Sequence, residues 1–379
     1  MAGLDAACCD SDRPAGDTEG RPALDAATRR RIRPSGWHPG GLGWGCRGAL
    51  TDAVVVAVDD NEDGWRDDLE SRGGELNDSL VWRTEDRLHT DEATVAMLVE
   101  LAAADDAVGR VITDLEVNSP GNGSVWASGR ACVDGTPALL KLGARPSERD
   151  WMSAVAAANA DVVPRVFGSG ELRGVGWLVL ERCAATLDRR SPAHVASVLT
   201  AAARWQCAGA AIEVATDAMG PDWLYEMLGA AASQSCPGDI AGVIGGVERN
   251  WEFVVSECGL TPNHGDVHTA NAVARDPTGP ALLIDPMPIA TVWPWDAAYL
   301  EAVVAPYLGP AEVGYGAGFV HALARERRVL GLTDHEDQLD RVESVVLAWA
   351  AAAWWRMAPW RHANAQWRAW VERCVAPPT

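Results

Sequence analysis

Lysine is almost absent from this chain of 379 residues. Of its 32 lysine and arginine residues only one, Lys141, is a lysine, and phenylalanine occurs only three times. Alanine, arginine and tryptophan are abundant, whereas lysine and phenylalanine are scarce. This composition is expected of a protein encoded by a GC-rich genome. A lysine that persists against this bias suggests a chemical requirement for an ammonium group at that position.

Positive charge is also scarce in the chain as a whole. The 53 acidic residues outnumber the basic ones and give a formal net charge of −21. A protein that binds nucleic acid or an anionic membrane needs a basic face to neutralise phosphates. The composition therefore argues against both of these partners and leaves cationic small molecules open.

Metal-binding cysteine patterns and membrane-spanning runs are missing as well. The nine cysteines include adjacent Cys8 and Cys9 but form no CxxC or Cys/His spacing, so the sequence shows neither a zinc site nor an obvious disulfide framework. The longest apolar run, Val345 to Trp355, is too short to span a bilayer. The first residues lack the basic and apolar regions of a signal peptide. We therefore expect a cytoplasmic protein.

The first 85 residues differ in texture from the rest of the chain. They are rich in Gly, Asp, Arg and Pro and show no sustained apolar periodicity, which predicts a poorly ordered extension over residues 1–85. The basic run Arg29 to Arg33 fits either a solvated charge cluster or an anion-binding patch. From Asp91, the segment DEATVAMLVELAAADD has helical apolar spacing and an acidic start, so we expect folded structure to begin there.

Two lobes of different composition are predicted beyond the extension. The segments VITDLEV, NSPGNGS, VWASGRACV and ALLKL are typical of strand, glycine loop, strand and strand, with a DG hairpin turn before the last. A helix over Ser147 to Ala158 and two more strands, RVFGSGE and GWLVLER, complete a sheet-rich lobe over residues 86–181. Residues 182–379 are mainly helical in pattern, with one continuous helical segment predicted from Ile240, IAGVIGGVERNWEFVVSE, and with strand character around NHGDVHTANAVA and ALLIDP. The predicted fold class is α+β.

The most specific segment in the chain is NHGDVHTAN. Asp266 and Asn271 lie five residues apart in it, and Asp285 follows in ALLIDP. Phosphoryl transfer from ATP needs a positioned acceptor hydroxyl and magnesium ions that bridge the phosphates. A carboxylate can orient or deprotonate the hydroxyl, while amide and carboxylate oxygens are the ligands that magnesium prefers. These three residues can supply both requirements.

The segment HGDVHTAN resembles the H-G-D-x-H-x-x-N catalytic loop of aminoglycoside phosphotransferases and choline kinase-like enzymes, the small-molecule relatives of protein kinases. The IDP segment resembles their metal-binding aspartate segment, and the likeness extends over about residues 90–375. It implies a protein kinase-like two-lobe fold and a small-molecule kinase. It also implies that Asp266 is the catalytic base or orienter and that Asn271 and Asp285 bind Mg²⁺.

The same resemblance implies structural roles around the catalytic loop. His264 and Gly265 would shape the loop, and Asp296, in WPWDAAYL, would brace it or cap a helix. His268 would belong to the hydrogen-bond frame of the loop or contact the substrate, and both interpretations remain open.

Lys141 lies in ALLKL, on the predicted third strand, where kinase-like folds place the lysine that contacts the α- and β-phosphates. A compact ammonium suits that task better than a planar guanidinium. The resemblance also implies a glutamate partner on the next helix, a glycine-containing loop over the phosphates, and a linker, LVLERC, that contacts adenine. The residues predicted to bind ATP or GTP are Lys141, Glu148, Ser119, Gly121, Asn122, Gly123, Ser124, Glu181 and Cys183.

The acceptor is the least determined part of the prediction. LLIDPMPIATVWPWDAA resembles the IDPKP segment of streptomycin 6-phosphotransferases and the hydroxyurea kinase-like branch, with Met287 where those sequences carry lysine. This likeness and the acidic composition favour O-phosphorylation of an aminoglycoside-type antibiotic, and hence antibiotic resistance. The alternatives are a metabolic kinase for a sugar, a choline-like alcohol or an amino alcohol, and a catalytically silent nucleotide-binding module.

Six tryptophans near the C-terminal end have two possible roles. They fit interhelical packing or the lining of an acceptor pocket, because both would place aromatic side chains at helical spacing. These residues are Trp349, Trp354, Trp355, Trp360, Trp367 and Trp370.

Overall fold

A computed structural model describes most of the chain beyond residue 112. The described residues are 113–118, 127–172, 175–214, 216–218, 220–225, 240–315, 318–332 and 337–376. The predicted extension over residues 1–85, the predicted helix from Asp91 and the glycine-containing loop Ser119 to Ser124 lie outside them.

The first half of the described chain forms a five-stranded antiparallel sheet, in the order β1-β2-β3-β5-β4. Its strands are β1 Thr113–Asn118, β2 Ala127–Val133, β3 Thr136–Leu142, β4 Val166–Leu172 and β5 Val175–Glu181. All five predicted strands are present. In the β2–β3 turn, Asp134 and Gly135 have φ angles of 48° and 78°, as the two positions of a type I′ hairpin require.

Helix α1, Pro146–Ala158, follows the third strand and packs on the sheet. Trp151, Met152 and Val155 are fully buried on the face that contacts the sheet. The helix begins one residue before the predicted start because Pro146 occupies its first turn, where a missing N–H costs no helical hydrogen bond. Glu148 therefore lies in the first turn of α1, beside the end of β3 that carries Lys141.

The second half is mainly helical, as predicted, which confirms the α+β class. Its helices are α2 Pro192–Gly209, α3 Ile240–Gly245, α4 Val247–Cys258, α5 Trp295–Val304, α6 Phe319–Val329, α7 Leu339–Met357 and α8 Ala365–Cys374. The predicted continuous helical segment from Ile240 is interrupted at Gly246. Pro359 follows α7 in a 3-10 turn, Pro359–Ala363, because proline cannot continue a helix. Within the described residues, the helices are all too short or too polar to cross a membrane.

Most of the C-terminal tryptophans pack in the core between these helices. Five of the six belong to one buried apolar cluster with residues of α5 and α7, and none of the five is more than 4% exposed. These five are Trp349, Trp354, Trp355, Trp367 and Trp370. The side chain of Trp360 lies outside the described part of the structure.

Short strands frame the catalytic segment. They are β6 Ala185–Thr186, β7 Asp217–Ala218, β8 Leu260–Asn263, β9 Ala272–Ala274, β10 Leu282–Leu283 and β11 Ile289–Val292. They form two three-stranded sheets, β10-β9-β6 and β7-β11-β8. The segment between β8 and β9 is the predicted catalytic loop.

Candidate active site

The predicted catalytic loop starts from a buried asparagine held by three elements. The side-chain oxygen of Asn263 accepts a hydrogen bond from Gln206 Nε2 on α2 at 2.7 Å, and its amide nitrogen donates to the Thr291 carbonyl of β11 at 3.2 Å. Gln206 in turn accepts from Arg327 Nη1 on α6 at 2.6 Å. Because the oxygen and the nitrogen of the buried Asn263 amide are both hydrogen-bonded, this side chain fixes the direction in which the chain enters the loop.

Asp296, on α5, holds the first turn of the loop. Its two carboxylate oxygens accept hydrogen bonds from the backbone N–H groups of His264 and Gly265, both at 3.0 Å. Burial raises the pKa of Asp296 to about 7, although these two hydrogen bonds lower it. The carboxylate thus braces the loop through its backbone.

Gly265 permits a close approach between the loop and the segment after β10. Its φ angle is 84°, and a Cβ atom at this position would lie 2.0 Å from the carbonyl oxygen of Met287. The N–H of Met287 donates to the His264 carbonyl at 2.8 Å, so the two segments are joined on both sides of the glycine. Any larger residue would force them apart.

We expect Gly265→Ala to reduce both stability and turnover. The positive φ alone costs about 1–2 kcal/mol, and overpacking against Met287 adds about 1–3 kcal/mol. Gly314→Ala is the matched control, because Gly314 has a φ of 82° and nothing within 4 Å of the added Cβ. Urea denaturation of both variants would measure the difference, and equal destabilisation would contradict the role of the close approach.

His264 belongs to the frame of the loop. Its Nε2 lies 3.0 Å from the Ile284 carbonyl oxygen, which can only accept, so Nε2 carries the proton. Its Nδ1 accepts from the N–H of Asp266 at 3.4 Å, and Trp205 packs edge-on at 5.0 Å between ring centroids. Burial lowers the pKa of His264 to about 4, so the ring is neutral near pH 7.

Asp266 is buried and held by three side chains. Its Oδ2 accepts from Asn271 Nδ2 at 2.7 Å, and its Oδ1 accepts from the Tyr299 hydroxyl at 2.7 Å. His268 Nε2 lies 3.4 Å from the same Oδ1. Burial raises the pKa of Asp266, but His268 and Tyr299 outweigh it and keep that pKa well below its usual range. The carboxylate is therefore ionised and oriented.

His268 also contributes to the frame of the loop. Its Nδ1 accepts from the N–H of Ala270 at 3.1 Å and caps the 3-10 turn Thr269–Asn271. With Nδ1 accepting, the proton is on Nε2, which faces Asp266. The alternative prediction, a substrate contact, has no support in these contacts.

Tyr299 is a site residue that the motif analysis missed. It lies three residues after Asp296 on α5, so both side chains reach the catalytic loop from one helix face. The three-residue spacing of Asp296 and Tyr299 in WDAAYL places both side chains on one helix face. That spacing points to the loop only once the contact between Asp296 and the loop is known.

Lys141 joins the two halves of the structure. Its Nζ lies 2.5 Å from Glu148 Oε1 and 2.9 Å from Asp285 Oδ1, and the residue is only 6% exposed. Burial lowers the pKa of Lys141, but the two carboxylates outweigh it and raise the pKa above its ordinary value. The ammonium therefore stays charged between a helix of the first half and the IDP segment of the second.

Asp285 and Asn271 are neighbours across the β9–β10 hairpin. The N–H of Ile284 donates to the Asn271 carbonyl at 2.9 Å, and Asp285 follows with a left-handed φ of 55°. Strained, left-handed non-glycine residues are concentrated at functional sites. The Asp285 side chain is 30% exposed, and Asn271 uses its amide nitrogen on Asp266, which leaves its amide oxygen for another partner.

These two side chains offer the oxygen ligands that Mg²⁺ prefers. Among the described residues, no group of three or more His, Cys, Asp or Glu side chains forms a candidate metal site. A magnesium ion held by Asp285 and Asn271 would take its remaining ligands from phosphates and water, which is its usual arrangement in nucleotide sites. The donor set therefore fits Mg²⁺ bound together with a nucleotide.

The predicted adenine linker is anchored by a salt bridge. Both carboxylate oxygens of Glu181 accept from Arg275 Nε at 3.1 Å, and the N–H of Arg165 donates to Oε2. The Glu181 side chain thus stabilises the linker. The backbone N–H of Glu181 donates a hydrogen bond to the Arg165 carbonyl. Sequence patterns gave no sign of the Arg275 partner, which lies 94 residues away.

Cys183, the last residue of this linker, packs against a small apolar cluster. Its neighbours are Val273, Leu282 and Ile284, and burial raises the pKa of its thiol to about 11. A protonated thiol beside three aliphatic side chains is an apolar surface, of the kind that suits a flat base. The predicted glycine loop that would complete a nucleotide site lies outside the described residues.

The chain is similar to solved structures of small-molecule kinases. It matches a macrolide 2′-phosphotransferase from Brachybacterium faecium at 15% identity and a TM-score of 0.45, covering 75% of this chain and 99% of that one. It matches a choline/ethanolamine kinase family protein from Mesorhizobium loti at 16% identity and a TM-score of 0.47, covering 74% and 92%. A choline kinase from Cryptosporidium parvum Iowa II matches at 8% identity and a TM-score of 0.48, covering 74% and 93%. The sequence matches no protein-family profile and no curated protein.

Proposed function

We propose that this protein transfers the γ-phosphoryl group of a nucleoside triphosphate to a hydroxyl group of a small molecule. The observation that carries this proposal is the contact between Lys141 and Asp285, which are 144 residues apart in the chain. It brings the only lysine of the sequence to the same point as a predicted metal ligand, beside the hydrogen-bonded pair of Asp266 and Asn271.

Lys141, held in place by Glu148, provides an ammonium group for phosphates. The Lys141 ammonium and the carboxylates of Glu148 and Asp285 together carry a net negative charge. A bound divalent cation would reverse the sign of that net charge. Magnesium held by Asp285 and Asn271 would supply that charge and polarise the transferred phosphoryl group. The strand position of Lys141 holds its Nζ in place without any rearrangement of the backbone.

Asp266 acts on the acceptor. Its Oδ1 accepts from the Tyr299 hydroxyl and faces His268, whereas Oδ2 accepts from Asn271, so Oδ2 is the oxygen with more capacity for an incoming hydroxyl. A carboxylate with a low pKa is a weak base, so its main contribution is to orient the hydroxyl towards the phosphorus. The hydroxyl proton passes to Asp266 as the new O–P bond forms and the bond from the γ-phosphorus to the oxygen bridging the β-phosphate breaks, which releases the nucleoside diphosphate.

For the acceptor we propose an aminoglycoside-type antibiotic, which the enzyme would inactivate by O-phosphorylation in the cytoplasm. The net charge of −21 supports this choice, because a negative field raises the local concentration of a polycation. Initial rates with ATP and GTP over a panel of aminoglycosides, sugars, choline and amino alcohols test it. Turnover of a metabolic alcohol alone would identify a metabolic kinase, and nucleotide binding without any turnover would identify a silent module.

We expect Asp285→Ala to abolish the magnesium dependence of nucleotide binding. The variant removes the carboxylate that would hold the cation and also one of the two anionic partners of Lys141. Calorimetric titration with ATP, with and without Mg²⁺, measures the effect. The matched control is Asp150→Ala, at an exposed position on α1. Wild-type affinity for Mg–ATP in the Asp285 variant would place the metal site elsewhere.

A further inference from the structure

Arg327, on α6, is a buried cation that contacts the supports of the catalytic loop. Its guanidinium lies over the ring of Trp293, with 4.8 Å between Cζ and the ring centroid. Its Nη1 donates to Gln206 Oε1 at 2.6 Å. A buried charge costs desolvation free energy, so an apolar side chain of similar size would serve packing alone equally well. The presence of a cation here therefore suggests a role beyond packing.

Arg327 fixes the direction of the hydrogen bonds around Gln206. A guanidinium can only donate, so the oxygen of the Gln206 amide faces Arg327 and its nitrogen faces the loop. That nitrogen donates to Asn263 Oδ1 at 2.7 Å and to the Trp293 carbonyl at 3.0 Å. The hydrogen bond from a charged donor also polarises the Gln206 amide and strengthens the bonds that its nitrogen makes.

Asn263 passes this donor direction on to the strands that frame the loop. Because its oxygen accepts from Gln206, its amide nitrogen donates to backbone carbonyls on β8 and β11. These carbonyls belong to Thr261 at 2.9 Å, Thr291 at 3.2 Å and Val292 at 3.4 Å. A reversed amide would turn its oxygen against these carbonyl oxygens and repel both strands. The donor direction that begins at Arg327 therefore keeps β8 and β11 together at the entry of the loop.

Gln206 also contacts the second support of the loop, Asp296. Burial raises the pKa of Asp296 to about 7, and a hydrogen bond from the Gln206 side chain is one of the contacts that lower it. Asp296 in turn accepts from two backbone N–H groups of the loop. Both supports, Asn263 and Asp296, thus contact the one amide that Arg327 orients.

We propose that Arg327 is a positioning residue, which acts through Gln206 on the entry of the catalytic loop and thereby on the placement of Asp266. This inference rests on the proposed phosphotransfer function and deepens it. The contacts lead to the segment that carries Asp266, whereas Lys141 belongs to β3 and Asp285 follows β10. Loss of Arg327 should therefore lower kcat and leave nucleotide binding nearly unchanged.

Arg327→Met should lower kcat by about tenfold, because small displacements of a catalytic group have large effects on rate. The measurement is the initial rate with Mg–ATP and streptomycin and, in parallel, with water as the acceptor. The KM for Mg–ATP should stay within about twofold of the wild type.

The matched control is Arg361→Met, which should keep the wild-type kcat. Arg361 is 6% exposed against 5% for Arg327, and it lies over the ring of Trp354 at 4.7 Å. It donates to two backbone carbonyls near the end of α5 instead of to the loop supports. Equal kcat in the Arg327 and Arg361 variants would overturn the inference. An equal fall in kcat and in affinity for Mg–ATP would also overturn it, because it would indicate general loosening.

Gln206→Glu decides the question if Arg327→Met does not fold. This substitution keeps the size of the side chain and gives Arg327 an anionic partner, but it removes the N–H donor to Asn263. The kcat of the folded variant should fall by about tenfold. A folded Gln206→Glu variant with wild-type kcat would refute the role of the donor direction.

Hydrogen exchange of the loop separates this inference from the proposed function. Arg327→Met should speed exchange of the backbone N–H groups of His264 and Gly265 by about tenfold, and Arg361→Met should not. That result without phosphoryl transfer to any acceptor would refute the phosphotransfer proposal and leave the support of the loop by Arg327 intact. Phosphoryl transfer with the same exchange and the same kcat in both variants would refute the inference and leave the phosphotransfer proposal intact.

Discussion

Asp266→Asn is expected to lower kcat by about a thousandfold, within the range that general acid–base groups contribute. The substitution keeps the size of the side chain but removes the negative charge and one acceptor oxygen. An amide at this position cannot accept from both Asn271 and Tyr299 and also orient a hydroxyl. Because the pKa of Asp266 lies well below its usual range, the wild-type group is ionised at every working pH. No change of pH should therefore rescue the variant.

The measurement is the steady-state rate together with a nucleotide titration. Affinity for Mg–ATP should stay within a few-fold of the wild type, since the proposed function assigns Asp266 to the acceptor and Lys141 and Asp285 to the nucleotide. A loss of turnover accompanied by an equal loss of nucleotide affinity would indicate a collapsed site. Comparable turnover in the variant would refute the assignment of Asp266.

Lys141→Arg should remove most of the turnover, by about a hundredfold, although it preserves the charge. The ammonium fits between Glu148 and Asp285 with contacts of 2.5 and 2.9 Å and is almost fully buried. A guanidinium is wider and planar and cannot occupy the same point between two carboxylates and a phosphate. A surface lysine would accept this change within about 0.5 kcal/mol of stability.

The single lysine also allows a chemical test of the same residue. An amine-directed ATP analogue should label Lys141, with only the α-amino group of the chain as a competitor, and excess Mg–ATP should protect it. Digestion and mass spectrometry would locate the label. Labelling that ignores Mg–ATP, together with full activity of the arginine variant, would remove Lys141 from the mechanism.

Local sequence patterns were sufficient for much of the first half of the fold. The DG turn between β2 and β3 follows from residues that accept positive φ, and α1 was predicted to within one residue of its start. The break at Gly246 was missed, because the apolar spacing continues on both sides of the glycine and only packing shows where one helix ends.

The proposed catalytic residues could be selected from the sequence because their chemistry is concentrated in short segments. HGDVHTAN and IDP contain Asp266, Asn271 and Asp285 within 20 residues, and the scarcity of lysine identified Lys141. These assignments needed only residue types and spacing, since the loop and the hairpin that follows it are local structures.

Only the tertiary structure decided which distant residues hold this site. Tyr299 meets Asp266, Gln206 meets Asn263 and Arg275 meets Glu181 across 33, 57 and 94 residues of sequence. Such contacts depend on how whole helices and sheets pack against each other, and one helix face can meet many partners. The residue types of the proposed site can therefore be recognised in the sequence, whereas the supports of Asp266 arise only when distant helices and strands pack together.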